Sequence, residues 1–446
     1  MAALTTTKDR YLAEFEALER QGALRSPSWL TPLRRSALAR FAAAGFPTTR
    51  DEDWRYTNLA PLVASAFRSA EGVAAVGLLP TTLERLSVGA TGWPRLVFVN
   101  GRYSARHSSP GPLPVGVRLS SLAEAMTIDG DVVARHLARH AGWDANVFAD
   151  LSTAFARDGA FLHLPAKTSS ETPIELLFVA TTPGVLAQPR ILVVAGPHSR
   201  ATVVERYVGL TDDAYFTNAV TEVVAGPGAS LDHYTLQEQG AGAFHVATVH
   251  AALEGDSAFS ACAATFGGRL NRTTLTLRFG GESGQGALSG LYVVGGHQHV
   301  DHHVTVDTAV PRCSSRQLYK GVLDGSARAV FNGRVIVRPD AQKTDANQTN
   351  KHLLLSDGVE VDSKPQLEIF ANDVKCTHGA AEGQLAPEAI FYLRSRGLAD
   401  ATARTLLTLG FAREIVDRIA VEPIRAYLDG TLRARLRAAR ATKEMS

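Results

Sequence analysis

Cysteine is scarce in this sequence, with only Cys262, Cys313 and Cys376 among 446 residues. Three widely separated thiols are too few for the disulfide framework by which small secreted domains stabilise themselves. The simplest interpretation is that they are buried or free thiols in a reducing compartment. We therefore expect a cytoplasmic protein.

An excess of charge of one sign is missing too, as are long apolar runs. The 46 Lys and Arg residues nearly balance the 44 Asp and Glu residues, which leaves a formal net charge of +2. This balance gives no electrostatic reason to expect nucleic acid or an acidic membrane as the main partner. No stretch approaches the ~20 apolar residues of a membrane span, and the charged N-terminus does not resemble a signal peptide. We expect no nucleic-acid partner and no membrane partner.

Several motifs of catalytic machines are absent. The dipeptide Gly-Lys never occurs, which argues against a Walker-type ATPase, and neither G-x-S-x-G nor H-E-x-x-H is present. The glycines between Gly280 and Gly286 miss the spacing of a dinucleotide fingerprint, so they predict a turn. The sequence predicts a protein that is not an enzyme.

Helical patterns occupy both ends of the chain. Apolar residues recur at helical spacing in residues 8–21, 32–45, 132–140 and 147–156. Near the other end, Pro387 suits the first position of a helix and Gly397 suits its end. Asp400 is expected to cap the helix that follows.

From Phe161 onward, β-branched and apolar runs of three to six residues alternate with turn residues for more than 200 residues. No amphipathic helix intervenes, which excludes an α/β sheet and leaves a sandwich, a barrel or a solenoid. The number of short strands favours a solenoid, and the Asn, Gln and Thr residues at 347–350 suit its repeated turns. We predict a mostly helical domain at 1–160, a β core at 161–384 and a helical domain at 385–446.

Two groups of residues have the chemistry of metal ligands. In an extended segment Cys376 and His378 project to the same face, about 7 Å apart, and a thiolate with an imidazole suits iron or zinc. Two ligands do not complete a site, so a neighbouring element or another subunit must supply the rest. The alternative is a buried cysteine beside a hydrogen-bonded histidine.

The second group lies in the segment from 296 to 303, which contains four of the 14 histidines. If this segment is a strand, His297, His299, Asp301 and His303 share one face, and His302 takes the other. That face has the side chains of a metal site. The alternative is a polar outer face on which the imidazoles form hydrogen bonds.

Longer motifs resemble a known family. They are S-K-P-Q-L-E-I-F-A-N-D-V-K-C-T-H-G-A at 363–380, I-F-Y-L-R-S-R-G-L at 390–398, R-A-V-F-N-G at 328–333, and the stretch from Gly45 to Thr57. They closely resemble the SufB/SufD family of iron–sulfur cluster assembly scaffold proteins, and within it the SufD type. The SufB type has a glutamate in the segment equivalent to 376–380, where this sequence has Gly379 after His378. The likeness extends over almost the whole chain.

The resemblance implies a right-handed parallel β-helix flanked by N-terminal and C-terminal helical domains. It implies pairing of this β-helix with SufB, and docking of the SufC ATPase on the C-terminal helices, where we select Phe391, Leu393 and Arg394 as contacts. It also implies a transient iron–sulfur cluster shared with SufB, no cofactor tightly bound to the isolated chain, and support for iron acquisition. His378 is the implied cluster ligand, and Cys376 lies beside it.

The resemblance leaves some roles open. The family often has a histidine where Thr308 follows Asp307, and it assigns no role to His297, His299 and His303, which we keep as accessory candidates. One rival is a metal-dependent enzyme built on these histidines. A second is a carbohydrate-active β-helix enzyme, a class usually exported and rich in acidic catalytic clusters. Without SufB, the exposed edge of the β-helix is expected to pair with a second copy, giving a homodimer.

Overall fold

A computed structural model describes residues 7–24, 27–65, 67–70, 78–89, 92–140 and 146–445 of the chain. The α-helices are α1 (Thr7–Arg20), α2 (Leu30–Ala44), α3 (Ala60–Ala64), α4 (Pro80–Leu86), α5 (Leu122–Ile128), α6 (Gly130–His136), α7 (Val147–Ala154), α8 (Pro387–Ser395), α9 (Asp400–Val416) and α10 (Glu422–Met445). Short 3-10 helices cover Glu52–Trp54 and Ala105–His107.

The strands begin with β1 (Arg68–Ser69), β2 (Arg95–Val99), β3 (Arg102–Tyr103), β4 (Arg118–Ser121), β5 (Gly159–Leu164), β6 (Ile174–Ala180), β7 (Val185–Ala187), β8 (Arg190–Ala195), β9 (Arg200–Gly209), β10 (Phe216–Ala225) and β11 (Ser230–Glu238). They continue with β12 (Phe244–Leu253), β13 (Ala258–Thr265), β14 (Leu270–Phe279), β15 (Gln285–Val294), β16 (His299–Thr308), β17 (Ser314–Leu323), β18 (Arg328–Val337), β19 (Asp345–Leu354), β20 (Glu360–Ile369) and β21 (Lys375–Gly383).

Most of these strands form two parallel sheets. Sheet A has the order β4-β5-β8-β10-β12-β14-β16-β18-β20, with β1 and β7 to one side of this path, and sheet B has the order β3-β2-β6-β9-β11-β13-β15-β17-β19-β21. From β8 to β21 the chain passes alternately between the sheets, so each coil adds one strand to each. This arrangement confirms the predicted parallel β-helix with helices at both ends.

The strands are longer than the apolar runs that predicted them. β16, for example, spans ten residues, of which Val300, Val304 and Val306 belong to the interior cluster. Polar residues on the outer face interrupt the apolar pattern, but the hydrogen-bonded ladder continues through them. For the same reason the residues at 347–350 lie within β19, and their assignment to turns was wrong.

The turns from sheet A to sheet B share a backbone feature. Each of seven successive turns contains a residue with φ between 56° and 66°, namely Lys167, His198, Gly228, Asp256, Ser283, Arg312 and Lys343. Only one of the seven is glycine, although the left-handed region is costly for residues with a side chain. The predicted turn at Gly280–Gly286 is confirmed between β14 and β15.

The two ends of the β-helix differ. At one end β3 pairs antiparallel with β2, and β4 pairs antiparallel with β5. At the other end β20 and β21 each pair with a strand on one side only, within the part of the chain described. Most side chains of this last coil are exposed or half-buried. The β-helix therefore begins with short antiparallel edge strands and ends in two long, open edge strands.

The helices cover the outer faces. Side chains of α1, α2 and α7 pack on sheet A around Phe216 and Phe244, whereas α9 and α10 pack on sheet B around Leu291 and Leu318. No helix among the described residues has the length and apolar content needed to cross a membrane.

The C-terminal helix boundaries were predicted in part. α8 begins at Pro387, and Gly397 has a φ of 88°, as expected for a residue that ends a helix. The predicted cap at Asp400 was wrong, because α9 begins at Asp400 itself. Its carboxylate accepts a hydrogen bond from Arg404 Nε at 2.6 Å, one helical turn further on.

Candidate functional site

Cys376 and His378 lie on β21, the edge strand of sheet B at the open end. Their Cα partners on β19 are Ala346 and Gln348, whose side chains are buried inside the β-helix. Cys376 and His378 therefore occupy inward-facing positions of the last coil. Because no further coil covers them within the described chain, this inward face is open at its edge.

The surroundings of the two side chains differ. Cys376 is half-buried and packs with a small apolar cluster that includes Val335 and Ala346. Burial raises the pKa of the Cys376 thiol, and the charge of Asp345 adds to this effect, while the backbone N–H of Ala346 opposes it. The imidazole of His378 is exposed. A protonated thiol and an accessible imidazole thus stand on one face of an open edge.

These two donors are not a complete metal site. Among the residues that the structure describes, no three His, Cys, Asp or Glu side chains are grouped so as to hold a metal ion. A thiolate and an imidazole suit iron, but an iron centre needs further ligands. The arrangement can therefore contribute two ligands at an edge where a second subunit would supply the others.

The predicted histidine face forms only in part. His299, Asp301 and His303 alternate on the outer side of β16, whereas His302 points inward and is 1% exposed. His297 lies in the turn before the strand, after Gly296 with a φ of 59°, so its predicted place on this face was wrong. The sequence pattern could not locate the start of the strand, because histidine fits a turn or a strand.

The outward-facing residues of β16 are held by the N-terminal region. Thr57 Oγ1 donates a hydrogen bond to Asp301 Oδ2 at 2.5 Å and lies 3.0 Å from His299 Nε2. His303 Nε2 lies 3.1 Å from Asp301 Oδ1, and Arg272 forms an ion pair with the same carboxylate. These contacts join the segment around Thr57 to sheet A.

The electrostatics of Asp301 follow from these partners. Its side chain is fully buried, and burial alone would raise the pKa of its carboxyl group. The opposing charges of Arg272 and His303 outweigh burial and hold the pKa of Asp301 well below its usual range. Because Arg272 already neutralises this carboxylate, the geometry favours a structural role over metal binding for the group.

The structure does not bring the two candidate groups together. Cys376 and His378 occupy inward-facing positions at the edge of sheet B, whereas His299 and His303 lie on the outer face of sheet A. Thr308, at the position where the resemblance led us to expect a histidine, is buried at the end of β16.

Comparisons with known proteins point to one family. The SufBD core domain of the SUF system for FeS cluster assembly matches residues 178–411, and the N-terminal region of SufBD proteins matches residues 5–176. The chain belongs to the SufBD family. Its matched regions include the N-terminal helices, the β-helix and part of α9.

Three curated members of the SufBD family are similar to this chain over at least nine-tenths of its length. An iron–sulfur cluster assembly SufBD family protein of Synechocystis is 34% identical, with 94% of each chain covered. The iron–sulfur cluster assembly protein SufD of Escherichia coli is 29% identical over 98% of this chain and 99% of its own. The SufD of Bacillus subtilis is 26% identical over 90% of this chain and 93% of its own.

The predicted docking residues of this SufBD chain lie on α8. Phe391 is 73% exposed, Arg394 is exposed and Leu393 is half-buried. Tyr392 is exposed beside them, whereas Ile390 is buried against the rest of the molecule. A short helix with two adjacent exposed aromatic rings is a feature of interaction surfaces.

A set of polar residues inside the β-helix was not predicted from the sequence. Tyr292, Gln317, Gln348 and His352 are nearly or fully buried on inward-facing positions of the last coils. Gln348, Asn350 and His352 alternate at positions where an inner face should be apolar. That alternation of polar residues in a strand was the available signal.

Proposed function

We propose that this chain is a SufD-type scaffold subunit of a SUF complex. In this proposal its open end pairs with SufB, its C-terminal helices bind SufC, and His378 with Cys376 contributes to a site where an iron–sulfur cluster is built. The observation that carries the proposal is the position of these two donors on the last, one-sided strand of the β-helix. The chain itself acts as a scaffold and not as an enzyme.

The open end supports pairing with a similar subunit. An edge strand presents unpaired backbone N–H and C=O groups to any strand that adds to it. β20 and β21 present such edges side by side, and Ile369 and Phe370 are 40% and 62% exposed next to them. SufB is the partner that the family resemblance implies, and a second copy of this chain takes its place in the isolated protein.

The chemistry at this edge supports cluster building. The thiolate is the form of cysteine that binds metal, so Cys376, whose pKa is raised by burial, must lose its proton as iron approaches. His378 offers an imidazole nitrogen on the same face. Further ligands from SufB would complete the coordination of a cluster, which is then transferred to another protein. Supporting the acquisition of iron for this cluster is part of the proposed scaffold function.

The C-terminal helices support a link to a SufC ATPase. Lys320 on β17 is 3% exposed, and its Nζ donates to Phe411 O at 2.7 Å and lies 2.5 Å from Glu414 Oε2 on α9. On α10, Tyr427 accepts a hydrogen bond from Arg206 at 2.6 Å. A movement imposed on these helices would therefore reach sheet B directly. We propose that ATP hydrolysis by SufC shifts the interface with SufB through these contacts. The complex would work in the cytoplasm, where ATP is available.

The test measures iron and acid-labile sulfide in the complex with SufB and SufC, purified without oxygen. We compare the wild type with His378→Ala and with Thr377→Ala, a matched control on the same strand whose side chain faces the other way. Loss of cluster from His378→Ala alone supports the proposal. An intact complex with unchanged cluster content would remove His378 from the site, and failure of the wild type to bind SufB would overturn the proposal as a whole.

A further inference from the structure

Inward-facing polar side chains in the first half of the β-helix have hydrogen-bond partners, although some buried atoms on outward-facing side chains of the same strands, such as Asn218 Oδ1, do not. Glu205 is 2% exposed and accepts hydrogen bonds from Tyr207 Oη and Thr221 Oγ1, each at 2.7 Å. His233 Nε2 lies 2.8 Å from the same carboxylate. The amide of Gln237 accepts from the backbone N–H of Gly267 at 3.1 Å. This is the normal state of polar groups in a protein interior.

The interior of the last coils is different. Gln317 is 2% exposed, and neither its Oε1 nor its Nε2 has a hydrogen-bond partner in the protein. The same holds for Gln348 Oε1, His302 Nε2 and His352 Nδ1, on side chains that are at most 3% exposed. Unpaired buried polar atoms are costly, so a group of them in one region indicates a bound species.

The unpaired groups form columns that lead to the candidate cluster site. In sheet B, Gln317 is in register with Gln348, and Gln348 is in register with His378. In a parallel column His352 is in register with Glu382, which is exposed on the last strand. Each column runs from the closed interior to the open end, where its last residue is accessible.

Two further contacts order this region. Tyr292 Oη lies 2.6 Å from His352 Nε2, and this hydrogen bond fixes the orientation of the imidazole ring. The other ring nitrogen, Nδ1, has no hydrogen-bond partner in the protein. Space for the large rings is provided by Gly321, where an added Cβ would lie 2.1 Å from Tyr292 Cε2. The polar groups are thus held in defined positions, and loose packing does not explain why they lack partners.

We propose that the interior of the last four coils is a polar chamber that binds ordered water and exchanges it with the cluster site at His378. The inference rests on the proposed function. Amide groups and neutral imidazoles both donate and accept, which suits water. Hydrated iron loses water ligands as protein ligands replace them, and a chamber beneath His378 receives that water when SufB covers the edge.

An anion or a metal ion fits the chamber less well. The inward-facing polar side chains include the amides, phenols and imidazoles of Gln317, Gln348, Asn350, Tyr292, Tyr319, His302 and His352. They include no cation to balance an anion. Burial lowers the pKa of both His302 and His352 to about 4, so that both are neutral near pH 7. Tyr292 stacks on His302 with ring centroids 5.2 Å apart, and its Oη lies 2.6 Å from His352 Nε2. Among the described residues, no three His, Cys, Asp or Glu side chains in this region are grouped to hold a metal ion.

The first test is a crystal structure of the full chain at a resolution that shows water. We expect ordered water within hydrogen-bonding distance of the Gln317 and Gln348 amides and of His352 Nδ1. Amides that instead pair with each other or with the backbone, with no water between them, would overturn the inference whatever the outcome of the cluster assay.

The second test compares Gln317→Leu with Gln237→Leu, a matched control in the paired half of the interior. Gln237→Leu loses a bond to Gly267 and is expected to lower the melting temperature more than Gln317→Leu does. In the complex with SufB and SufC, Gln317→Leu is expected to slow cluster formation. If it does not fold, Gln348→Met replaces it.

The outcomes separate the two proposals. If the wild-type complex forms a cluster and Gln317→Leu forms it equally fast, the chamber has no role in assembly, and the scaffold function stands. If the wild-type complex forms no cluster, the scaffold function fails, and the crystallographic water still decides whether the chamber exists. Slower cluster formation together with ordered water in the wild type supports both.

Discussion

Replacing Arg272 by methionine tests the ion pair that joins the N-terminal region to sheet A. Arg272 and Asp301 are 4% and 1% exposed, and the guanidinium also lies 3.7 Å from the ring centroid of Trp54. The substitution leaves a carboxylate buried without its cation, which costs about 3 to 5 kcal/mol of the free energy of unfolding. Loss of the contact with Trp54 adds about 1 kcal/mol.

The control is Arg316→Met, which removes an ion pair of the same type at the surface. Arg316 and Asp345 are 51% and 47% exposed, so solvent screens their attraction and the expected loss is at most about 1 kcal/mol. Denaturant unfolding followed by circular dichroism compares the two variants with the wild type. The double variant R272M/D301L, which removes both charges, is expected to recover most of the lost stability.

The pH dependence of stability is an independent test of the ion pair between Arg272 and Asp301. In the wild type the pKa of Asp301 is depressed. Its contribution to the free energy of unfolding is therefore fully present above the usual aspartate pKa of about 3.9, and it is lost as pH falls towards the folded-state pKa. In Arg272→Met the buried carboxylate loses its main cation, so its pKa rises relative to the wild type and the variant should gain stability relative to the wild type as pH falls. Parallel pH profiles, or equal losses for Arg272→Met and Arg316→Met, would refute this reasoning.

Two further predictions concern thiol reactivity and interior space. Burial raises the pKa of Cys262 to about 11 and also raises the pKa of Cys376. Because Cys262 is buried and Cys376 is half-buried, alkylation followed by mass spectrometry should modify Cys376 first, faster as pH rises; equal rates would contradict this order. Gly321→Ala places a Cβ against Tyr292 and should lower the free energy of unfolding by about 1 to 3 kcal/mol. The control is Gly379→Ala, which has open space around the added Cβ and should change the free energy of unfolding by less than about 0.5 kcal/mol. Equal melting temperatures would show that the Tyr292 ring can move aside.

The sequence was informative about fold class because the β-helix depends on a local pattern. Apolar residues alternate with turn residues from Phe161 onward, and this pattern requires no knowledge of distant contacts. Strand lengths were underestimated, since a strand continues through outward polar residues that look like breaks. The cap predicted at Asp400 failed because the same carboxylate can bind an arginine one turn along the helix.

The candidate site was predictable only in its local part. The common face of Cys376 and His378 follows from strand alternation and agrees with the register of β21 against β19. The partners of Asp301 were not predictable, because Thr57 is 244 residues away in the chain. The interior polar columns likewise form only when coils stack, so Gln317 and Gln348 become neighbours through sheet pairing and not through sequence.

The antiparallel strands β3 and β4 have a consequence for the size of any assembly. At two and four residues they are short edge strands, whereas β20 and β21, of ten and nine residues, form the long one-sided edge of the described chain. When two such edges meet, neither molecule has one left for a third. A β-helix with long edges at both ends would grow head to tail into fibres, whereas one long edge per molecule would limit strand-to-strand association to a pair.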